Sequence, residues 1–425
     1  MIERLHRVLN GEAWEELKLR FEPVTEEAVV YNPAQYEFTR VETLADTPEP
    51  KKATPVLDML TADPAVQKAV ARSKPEAIEA RRQTAIREIE RLVGTSLNRY
   101  EVMIYREAYR QLVDGEFHTF CSKVIGEYHA GDCTLRQLLL RGALRASFSS
   151  KSALLHFAMT GATGSGKNDL IENVAKILPV KNVVLYSSIT PQVLYYEMRV
   201  PVPGVKNGWT MNPDHFKNCI ICVTEIADSK AYSAMKAFAE LNEFSSYTHK
   251  ATSGQRSLDL TVRGPRSMWV SSVMGMKDEQ ANRRFIHSEI DEENPERREA
   301  RVNIISDSLT SQRSLDDDPR MRICRAGFDL LFASKPRIEP PTEDVAAVIS
   351  DLNGLLDKTG HSPSQFKQLY ALMECGAVLR QFERGYARIE MQDVSEGWFL
   401  SGFENHKEML LGGKWCKPAD PMDGC

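Results

Sequence analysis

The stretch GATGSGKND, residues 161 to 169, lies between an apolar run, SALLHFAMT, and a helical pattern, LIENVAKIL. Gly161, Gly166 and Lys167 have the spacing of a phosphate-binding loop, the Walker A pattern, in which a serine or threonine follows the lysine. Here Asn168 occupies that hydroxyl position. Because such a loop binds phosphate where it follows a strand and opens a helix, these flanking patterns predict a nucleotide site.

The loop would bind phosphate mainly through its backbone. Glycines allow successive N–H groups to face the phosphate oxygens, and the dipole of the following helix adds to the attraction. Lys167 would bridge the β- and γ-phosphates. The alternative is a glycine-rich turn without a ligand. The predicted contacts are Gly161, Ala162, Thr163, Gly164, Ser165, Gly166, Lys167, Asn168 and Asp169.

A second motif follows in the apolar run CIICV, which ends at Thr224 and Glu225. It is typical of a Walker B strand, whose usual ending is Asp-Glu. Glu225 is predicted to orient the attacking water, while Thr224 replaces the Asp that helps to hold Mg²⁺. Both metal-associated positions, Asn168 and Thr224, are therefore changed. Either Asn168 faces the cation and Thr224 holds a metal-bound water, or Mg²⁺ binds weakly and hydrolysis is slow or absent.

The bulk composition is that of an ordinary globular protein, with 42% hydrophobic and 27% charged residues among 425. No stretch approaches the roughly 20 apolar residues of a transmembrane helix, and the N-terminus has no signal-peptide pattern. Eight cysteines without framework spacing predict a reducing, cytoplasmic setting. The net charge of −5 argues against DNA wrapped around the outside, but not against a ring with a basic channel.

The chain has three predicted parts. Apolar residues at helical spacing over 73–94 and 97–113 predict a mostly helical N-terminal domain, residues 1–145, for oligomerisation or for binding DNA or a partner. From about residue 150, short apolar runs alternate with helical stretches, which predicts an α/β core with a mainly parallel sheet over 146–310. Residues 311–425 are again helical in pattern.

From 150 to about 305, the order of features resembles AAA+ ATPases of the superfamily 3 and minichromosome-maintenance helicase type, as in plasmid- or virus-encoded primase–helicases. Besides the two Walker motifs, the segments that carry the resemblance are SSYTHKATSGQRSLDLTVRGP (245–265), SMWVSSVMGM (267–276) and ANRRFIHSEID (281–291). The segment 362–394 looks like the helical lid of the same family. There the position of the family's sensor 2 arginine falls on Ser364, and Arg380 and Arg388 are the candidate substitutes.

The resemblance implies roles for particular residues. The first segment would be a hairpin whose Lys250 and Arg256 contact the DNA backbone; the alternative is a solvated basic turn. The second would be the sensor 1 strand, with Ser271 or Ser272 at its polar end, and Ser272 is included among the nucleotide contacts. Arg284, with Arg283 second, would be an arginine finger acting on a neighbour's site. The alternative is that both arginines pair with the acidic EIDEEN stretch.

The function implied is a ring-shaped DNA helicase or translocase, expected to be a hexamer, that uses ATP and Mg²⁺ and serves replication of a mobile element. Its fold would be an AAA+ P-loop core between a helical N-terminal domain and a helical lid. Two other hypotheses remain open. One is a scaffold that binds ATP and scarcely hydrolyses it, and the other is an AAA+ remodeller of proteins.

Overall fold

The structure, a computed structural model, describes residues 86–87, 89–189, 193–204, 209–226, 235, 238–250, 257–272, 283–290, 295–311, 314–358 and 360–401. The chain divides into two compact units, residues 1–97 and 98–425. In the described part of the first unit, residues 86–87 and 89–93 are helical, and Gly94 follows at φ +76°, where the predicted helix 73–94 ends. The predicted beginning of that helix lies outside the described residues.

The strands of the second unit follow the short apolar runs of the sequence. In chain order they are β1 (Phe157–Thr160), β2 (Val183–Tyr186), β3 (Arg199–Pro201), β4 (Trp209–Met211), β5 (Cys219–Val223), β6 (Phe244–Lys250), β7 (Ser257–Arg263), β8 (Arg266–Ser272) and β9 (Ile286–Glu289). The strands predicted from the runs that contain β1, β2, β5 and β8 are thus confirmed.

One five-stranded sheet has the order β2-β5-β8-β1-β9, and each neighbouring pair in it is parallel. The carboxyl ends of parallel strands meet at one edge, and the register places Met159 opposite Ser271 and Val223 opposite Val270. Because β8 lies between β1 and β5, the residues that follow these three strands come together. The predicted α/β fold with a mainly parallel sheet is confirmed.

The sheet is buried by apolar residues at alternate strand positions. Ile221 and Val223 of β5 and Met268 and Val270 of β8 belong to one core cluster that also contains Phe238. Residues two apart on a strand face the same side, so this cluster covers one face of the central strands. Because this core is closely packed, the positions at which the central strands end are fixed, and so are the starting points of the loops that follow them.

Two parts of the sheet structure were not predicted from the sequence. β9 pairs with β1 from Phe157 opposite Ile286 to Thr160 opposite Glu289. Its four residues alternate between half-buried and exposed, because β9 is an edge strand of the sheet. The short antiparallel pair of β3 and β4 was also not foreseen.

The predicted hairpin is formed by β6 and β7, which pair antiparallel from Phe244 opposite Arg263 to Lys250 opposite Ser257. The run 257–262 therefore belongs to a two-stranded sheet that is separate from the parallel sheet. Its antiparallel partner directly precedes it along the chain, which favours local pairing. The tip with Arg256 lies outside the described residues, and only the backbone of Lys250 is described.

Helices flank the sheet segment on both sides in sequence. Before it come α1 (Arg99–Val113), α2 (Phe117–Gly126) and α3 (Cys133–Arg145). After β1 and β2 come α4 (Lys167–Lys176) and α5 (Val193–Glu197). α1 begins two residues later than the predicted segment 97–113, because Asn98 and Glu101 form a capping box there.

The C-terminal helices are α6 (Pro295–Ser311), α7 (Pro319–Ser334), α8 (Glu343–Lys358), α9 (Pro363–Leu379), α10 (Gln381–Arg384) and α11 (Met391–Leu400). Between them, β10 (Ile338–Glu339) pairs with β11 (Ala387–Arg388). α1 packs on α7 and α3 packs on α9, so helices from before and after the sheet are in contact. The predicted domain boundaries at 145 and 310 and the role of a lid stay predictions. No helix among the described residues is both long and apolar enough to span a membrane.

Candidate functional site

The phosphate loop leaves the carboxyl end of β1 and leads directly into α4. Gly164 and Gly166 have φ values of +90° and +91°, a backbone region that strongly favours glycine. α4 begins at Lys167, whose buried ammonium Nζ donates to the carbonyls of Gly161 (2.8 Å) and Ala162 (2.5 Å) and to Ser165 Oγ (3.0 Å). The loop therefore encloses its lysine, and backbone N–H groups at the start of α4 are available to an anion.

A cleft of about 430 Å³ opens above this loop, within the size range of ligand pockets. It brings together residues that are far apart in sequence, at the ends of β5 and β8 and on α6. Its lining residues are Thr163, Gly164, Ser165, Gly166, Lys167, Asn168, Asp169, Thr224, Glu225, Ile226, Ser271, Ser272 and Arg301. The predicted contacts Gly161 and Ala162 do not line it, and their carbonyls accept hydrogen bonds from Lys167 instead.

Ser271 joins the two motifs in which the usual metal-associated residues are replaced. Its buried Oγ lies 2.5 Å from Asn168 Oδ1 and 2.8 Å from the carbonyl oxygen of Thr224. A hydroxyl has one proton, so it cannot donate to both oxygens fully. The 2.5 Å separation is typical of an O–H···O bond and too short for an N–H···O bond, so the Ser271 hydroxyl donates to Asn168 Oδ1. The amide oxygen of Asn168 has a second lone pair, which is available to a hard cation in the cleft.

Thr224 and Glu225 follow β5 at the same edge of the sheet. The Thr224 side chain is buried, and its Oγ1 lies 3.3 Å from the Ser187 carbonyl and 3.5 Å from the Tyr186 carbonyl at the end of β2. Glu225 is exposed and lines the cleft. The Glu225 carboxylate is therefore accessible to a bound ligand or water, whereas the Thr224 hydroxyl is directed to backbone carbonyls.

Both sensor 1 candidates line the cleft, since β8 ends between β1 and β5. Ser271 contacts Asn168 and Thr224, as described above, whereas Ser272 stands one residue further on, opposite Thr160. Sequence analysis left the choice open and included Ser272 among the nucleotide contacts. Ser271 is thus the candidate that contacts both substituted motif positions, Asn168 and Thr224.

A charged cluster behind the loop was not recognised in the sequence. His129 is 4% exposed, and its imidazole Nδ1 lies 3.1 Å from Asp169 while Nε2 lies 2.9 Å from Asp132. Arg297 of α6 donates to the same Asp132 oxygen (2.5 Å) and to the carbonyl of Ser165 (3.2 Å). The cluster thus ties the segment before α3 and helix α6 to the phosphate loop.

The pKa of His129 follows from this geometry. Burial alone lowers the pKa, but the hydrogen bonds and negative charges of Asp132 and Asp169 outweigh it and raise the pKa above its usual value. The imidazolium form is therefore favoured beside the loop. An ideal Cβ added to Gly166 would lie 3.4 Å from His129 Cε1, so the cluster packs directly against the glycine before Lys167.

Arg301 of α6 is a second residue that sequence analysis missed. It lines the cleft, and its guanidinium carbon lies 3.5 Å from the same ideal Cβ position at Gly166. Within the described residues, this guanidinium makes no ion pair or hydrogen bond. A half-buried cation beside a phosphate loop is suited to bind a phosphate oxygen. The predicted substitutes Arg380 and Arg388 do not line the cleft; they pair with Asp393 and Glu339.

Comparison with known proteins agrees with this arrangement. Residues 103–333, more than half of the chain, match the model of the MTBMA_p00010 P-loop domain family. The chain belongs to this P-loop family. It is also 24% identical over 280 residues to an uncharacterized protein, MTBMA_p00010, of Methanothermobacter marburgensis. That match covers 65% of this chain and 32% of the relative, so the chain spans about a third of the relative's length.

The family match extends from α1 to α7 and thus includes the loop, the sheet and the helix that carries Arg301. Membership indicates a nucleotide-binding P-loop domain. The residues present fit a nucleoside triphosphate: two left-handed glycines, an enclosed lysine, an adjacent arginine and an exposed carboxylate surround one cleft. They also fit a cation, through the oxygen of Asn168.

Arg284 lies elsewhere in this P-loop domain. It precedes β9, whose first residue is opposite Phe157 at the amino end of β1, so Arg284 lies at the sheet edge opposite the phosphate loop. Its guanidinium pairs with Glu240 at 2.5 Å, and its carbonyl accepts from Gln368 of α9. Arg284 therefore does not reach the cleft of its own chain. The neighbouring Arg283 is exposed.

Proposed function

We propose that this P-loop protein is an ATPase of the AAA+ helicase type that assembles as a ring, a hexamer, and translocates on DNA in the replication of a mobile element. The observation that supports it is the convergence of Lys167, Asn168 and Glu225 on one cleft, while Arg284 lies at the opposite edge of the sheet. Residues 1–145 would serve oligomerisation or binding of DNA or a partner, and 311–425 would form the lid and tail.

Hydrolysis requires an oriented water and neutralised phosphate charge. Glu225, exposed at the end of β5, would accept a hydrogen bond from the water and direct it toward the γ-phosphate. Lys167 would exchange part of its contacts with the loop carbonyls for phosphate oxygens. Bound Mg²⁺ would supply further charge neutralisation, and Asn168 and Thr224 are the residues that would hold it.

The position of Arg284 supports a site shared between two copies. A guanidinium that cannot reach its own cleft can still reach the cleft of a neighbour whose phosphate edge faces this side of the sheet. In a chain that has no neighbour, the ion pair with Glu240 would keep the Arg284 side chain in a fixed position. In a ring of such contacts, each site would receive its arginine from the next subunit.

The hairpin of β6 and β7 supports DNA as the partner. It forms a two-stranded sheet of its own, and its tip segment carries basic residues in the sequence. Lys250 and Arg256 would contact phosphates of single-stranded or forked DNA, giving salt-sensitive binding independent of sequence. Nucleotide cycling would then move the hairpins along the strand.

A second candidate function is a nucleotide-binding scaffold. It is favoured by the contacts of Thr224, whose hydroxyl is directed to the carbonyls of Tyr186 and Ser187 and would have to leave them to hold Mg²⁺. A site with weakened Mg²⁺ coordination would bind ATP and turn it over slowly. A protein remodeller, the third hypothesis, would hydrolyse ATP without responding to DNA.

One assay separates these functions: Mg²⁺-dependent ATP hydrolysis with and without single-stranded DNA, for the wild type and Glu225→Gln. We expect turnover that DNA increases and the substitution abolishes. ATP binding without turnover would support the scaffold instead, and turnover indifferent to DNA would support the remodeller. The double variant Lys250→Ala, Arg256→Ala should lose DNA affinity and keep basal hydrolysis; unchanged DNA affinity would contradict the hairpin assignment.

A further inference from the structure

A second cleft, of about 380 Å³, adjoins the phosphate cleft. The two share Asp169 and Arg301, which lie at their junction. The walls of the second cleft are the segment Glu127–Ala130, the side of α4 that carries Asn173, and helix α6. A molecule bound at Lys167 can therefore continue into this space without leaving the protein surface.

The direction of α4 defines what could occupy the second cleft. Asp169, Asn173 and Lys176 lie on one side of the helix, at spacings of four and three residues. At about 1.5 Å of rise per residue, Asn173 is about 9 Å along the axis from Lys167. That is the distance scale of the sugar and base that follow a phosphate chain held at the loop.

The chemistry of the second cleft is mixed in the way a nucleoside requires. Its α6 wall is mixed: Ile304, Ile305 and Leu309 line it together with Arg301, Asp307 and Ser308, and Ile305 and Leu309 are respectively 50% and 76% exposed. Covering exposed apolar side chains is favourable, so a flat base that lies on Ile305 and Leu309 would be stabilised. At the junction, the Asp169 carboxylate is an acceptor for a hydroxyl, and His129 holds it at 3.1 Å.

We propose that the second cleft is the nucleoside subsite of the nucleotide site, a deepening that rests on the function proposed above. The base lies against Ile305 and Leu309 of α6, a ribose hydroxyl donates to Asp169, and Arg301 binds phosphate at the junction. The contact between His129 and Asp169 fixes the carboxylate and offsets its repulsion of the nearby phosphates. One ligand would thereby contact the phosphate loop, helix α6 and the segment before α3.

The test compares two ligands that share the phosphate chain. Titration of the full chain with ATP and with inorganic tripolyphosphate, both with Mg²⁺, separates nucleoside from phosphate contacts. Ile305→Asp should lower the affinity for ATP at least about tenfold and leave that for tripolyphosphate unchanged, because only ATP places a group on that wall. Val302→Asp is the matched control: Val302 is 62% exposed on the same helix and does not line the cleft.

Each outcome decides the matter. Equal ATP affinity in Ile305→Asp and the wild type, or an equal loss for both ligands, would overturn the nucleoside subsite alone. Binding of neither ligand by the wild type would overturn the proposed function and this inference with it. A change in sedimentation without a change in ATP affinity would assign the Ile305 face to contact between copies. Thermal unfolding of each variant verifies that the fold is retained.

Discussion

Ser271 and Asn168 are in contact at 2.5 Å, although 103 residues separate them in the chain. The contact exists because β8 lies between the strand that ends at the phosphate loop and the strand that ends at Thr224. Asn168 stands where a P-loop usually has a hydroxyl, and Ser271 supplies a hydroxyl from the neighbouring strand. In the function proposed here, the pair Ser271 and Asn168 would take the place of the single hydroxyl residue on the cation side of the site.

Replacing Ser271 by Ala should impair the use of Mg²⁺. The Asn168 amide would lose the group that orients it, which is worth about 1 kcal/mol, so Mg²⁺-dependent hydrolysis should fall about fivefold to tenfold. The measurement is hydrolysis rate against Mg²⁺ concentration. Ser267→Ala is the control, because it removes a buried hydroxyl from the same strand outside the cleft and should leave the Mg²⁺ dependence unchanged. The same Mg²⁺ curve for Ser271→Ala would contradict the pair.

Arg301→Gln should weaken ATP binding about tenfold, since a charged hydrogen bond to phosphate contributes about 1.5 kcal/mol at a half-buried position. Calorimetric titration with ATP checks this. Arg298→Gln removes an exposed arginine from the same helix and should bind ATP as the wild type does. Equal affinities for both variants would show that Arg301 does not contact the nucleotide.

The charge of His129 predicts a dependence of stability on pH. Its pKa is raised in the folded chain by Asp132 and Asp169, against the opposing effect of burial, so its stabilising contribution is complete below the ordinary pKa of about 6.5. That contribution is lost as the pH rises through the higher folded pKa. Urea unfolding between about pH 6 and pH 9 should show falling stability in the wild type. The slope should be smaller in His129→Gln, and an equal slope in that variant would contradict the role of His129.

Arg284 should act on a neighbouring chain. Lys167→Ala and Arg284→Ala should each abolish hydrolysis, and mixing the two should restore part of it, because some interfaces then combine an intact lysine with an intact arginine. The measurement is the hydrolysis rate of the mixture against its composition. Arg283→Ala, tested in the same way, decides between the two adjacent arginines. No recovery on mixing would contradict a shared site.

The elements that depend on local sequence were predictable. The loop, the strands β1, β5 and β8, and the hairpin each carry an apolar pattern or a motif with its own local signal. β9 could not be predicted, because the half-exposed sequence Ile-His-Ser-Glu has little apolar content. The strand order is set by non-local packing, and the contacts of Ser271 with Asn168 and Thr224 depend on that order.

Other site residues had no signal of their own. Arg301 lies in a helix with several arginines, and only the fold places this one beside Gly166. His129 precedes Asp169 by 40 residues and is not part of any motif. Both were missed because the contacts that give them a role are tertiary. The predicted roles of Lys250 and Arg256 stay predictions, since their side chains lie outside the described residues.

The most direct test of this account is calorimetric titration of Mg·ATP into the wild type and Lys167→Ala. The account predicts one bound nucleotide per chain in the wild type and a loss of at least about tenfold in affinity in the variant, because Lys167 binds the phosphates from inside the loop. A wild type that does not bind ATP, or a variant that binds it equally well, would contradict the assignment of this cleft as the nucleotide site.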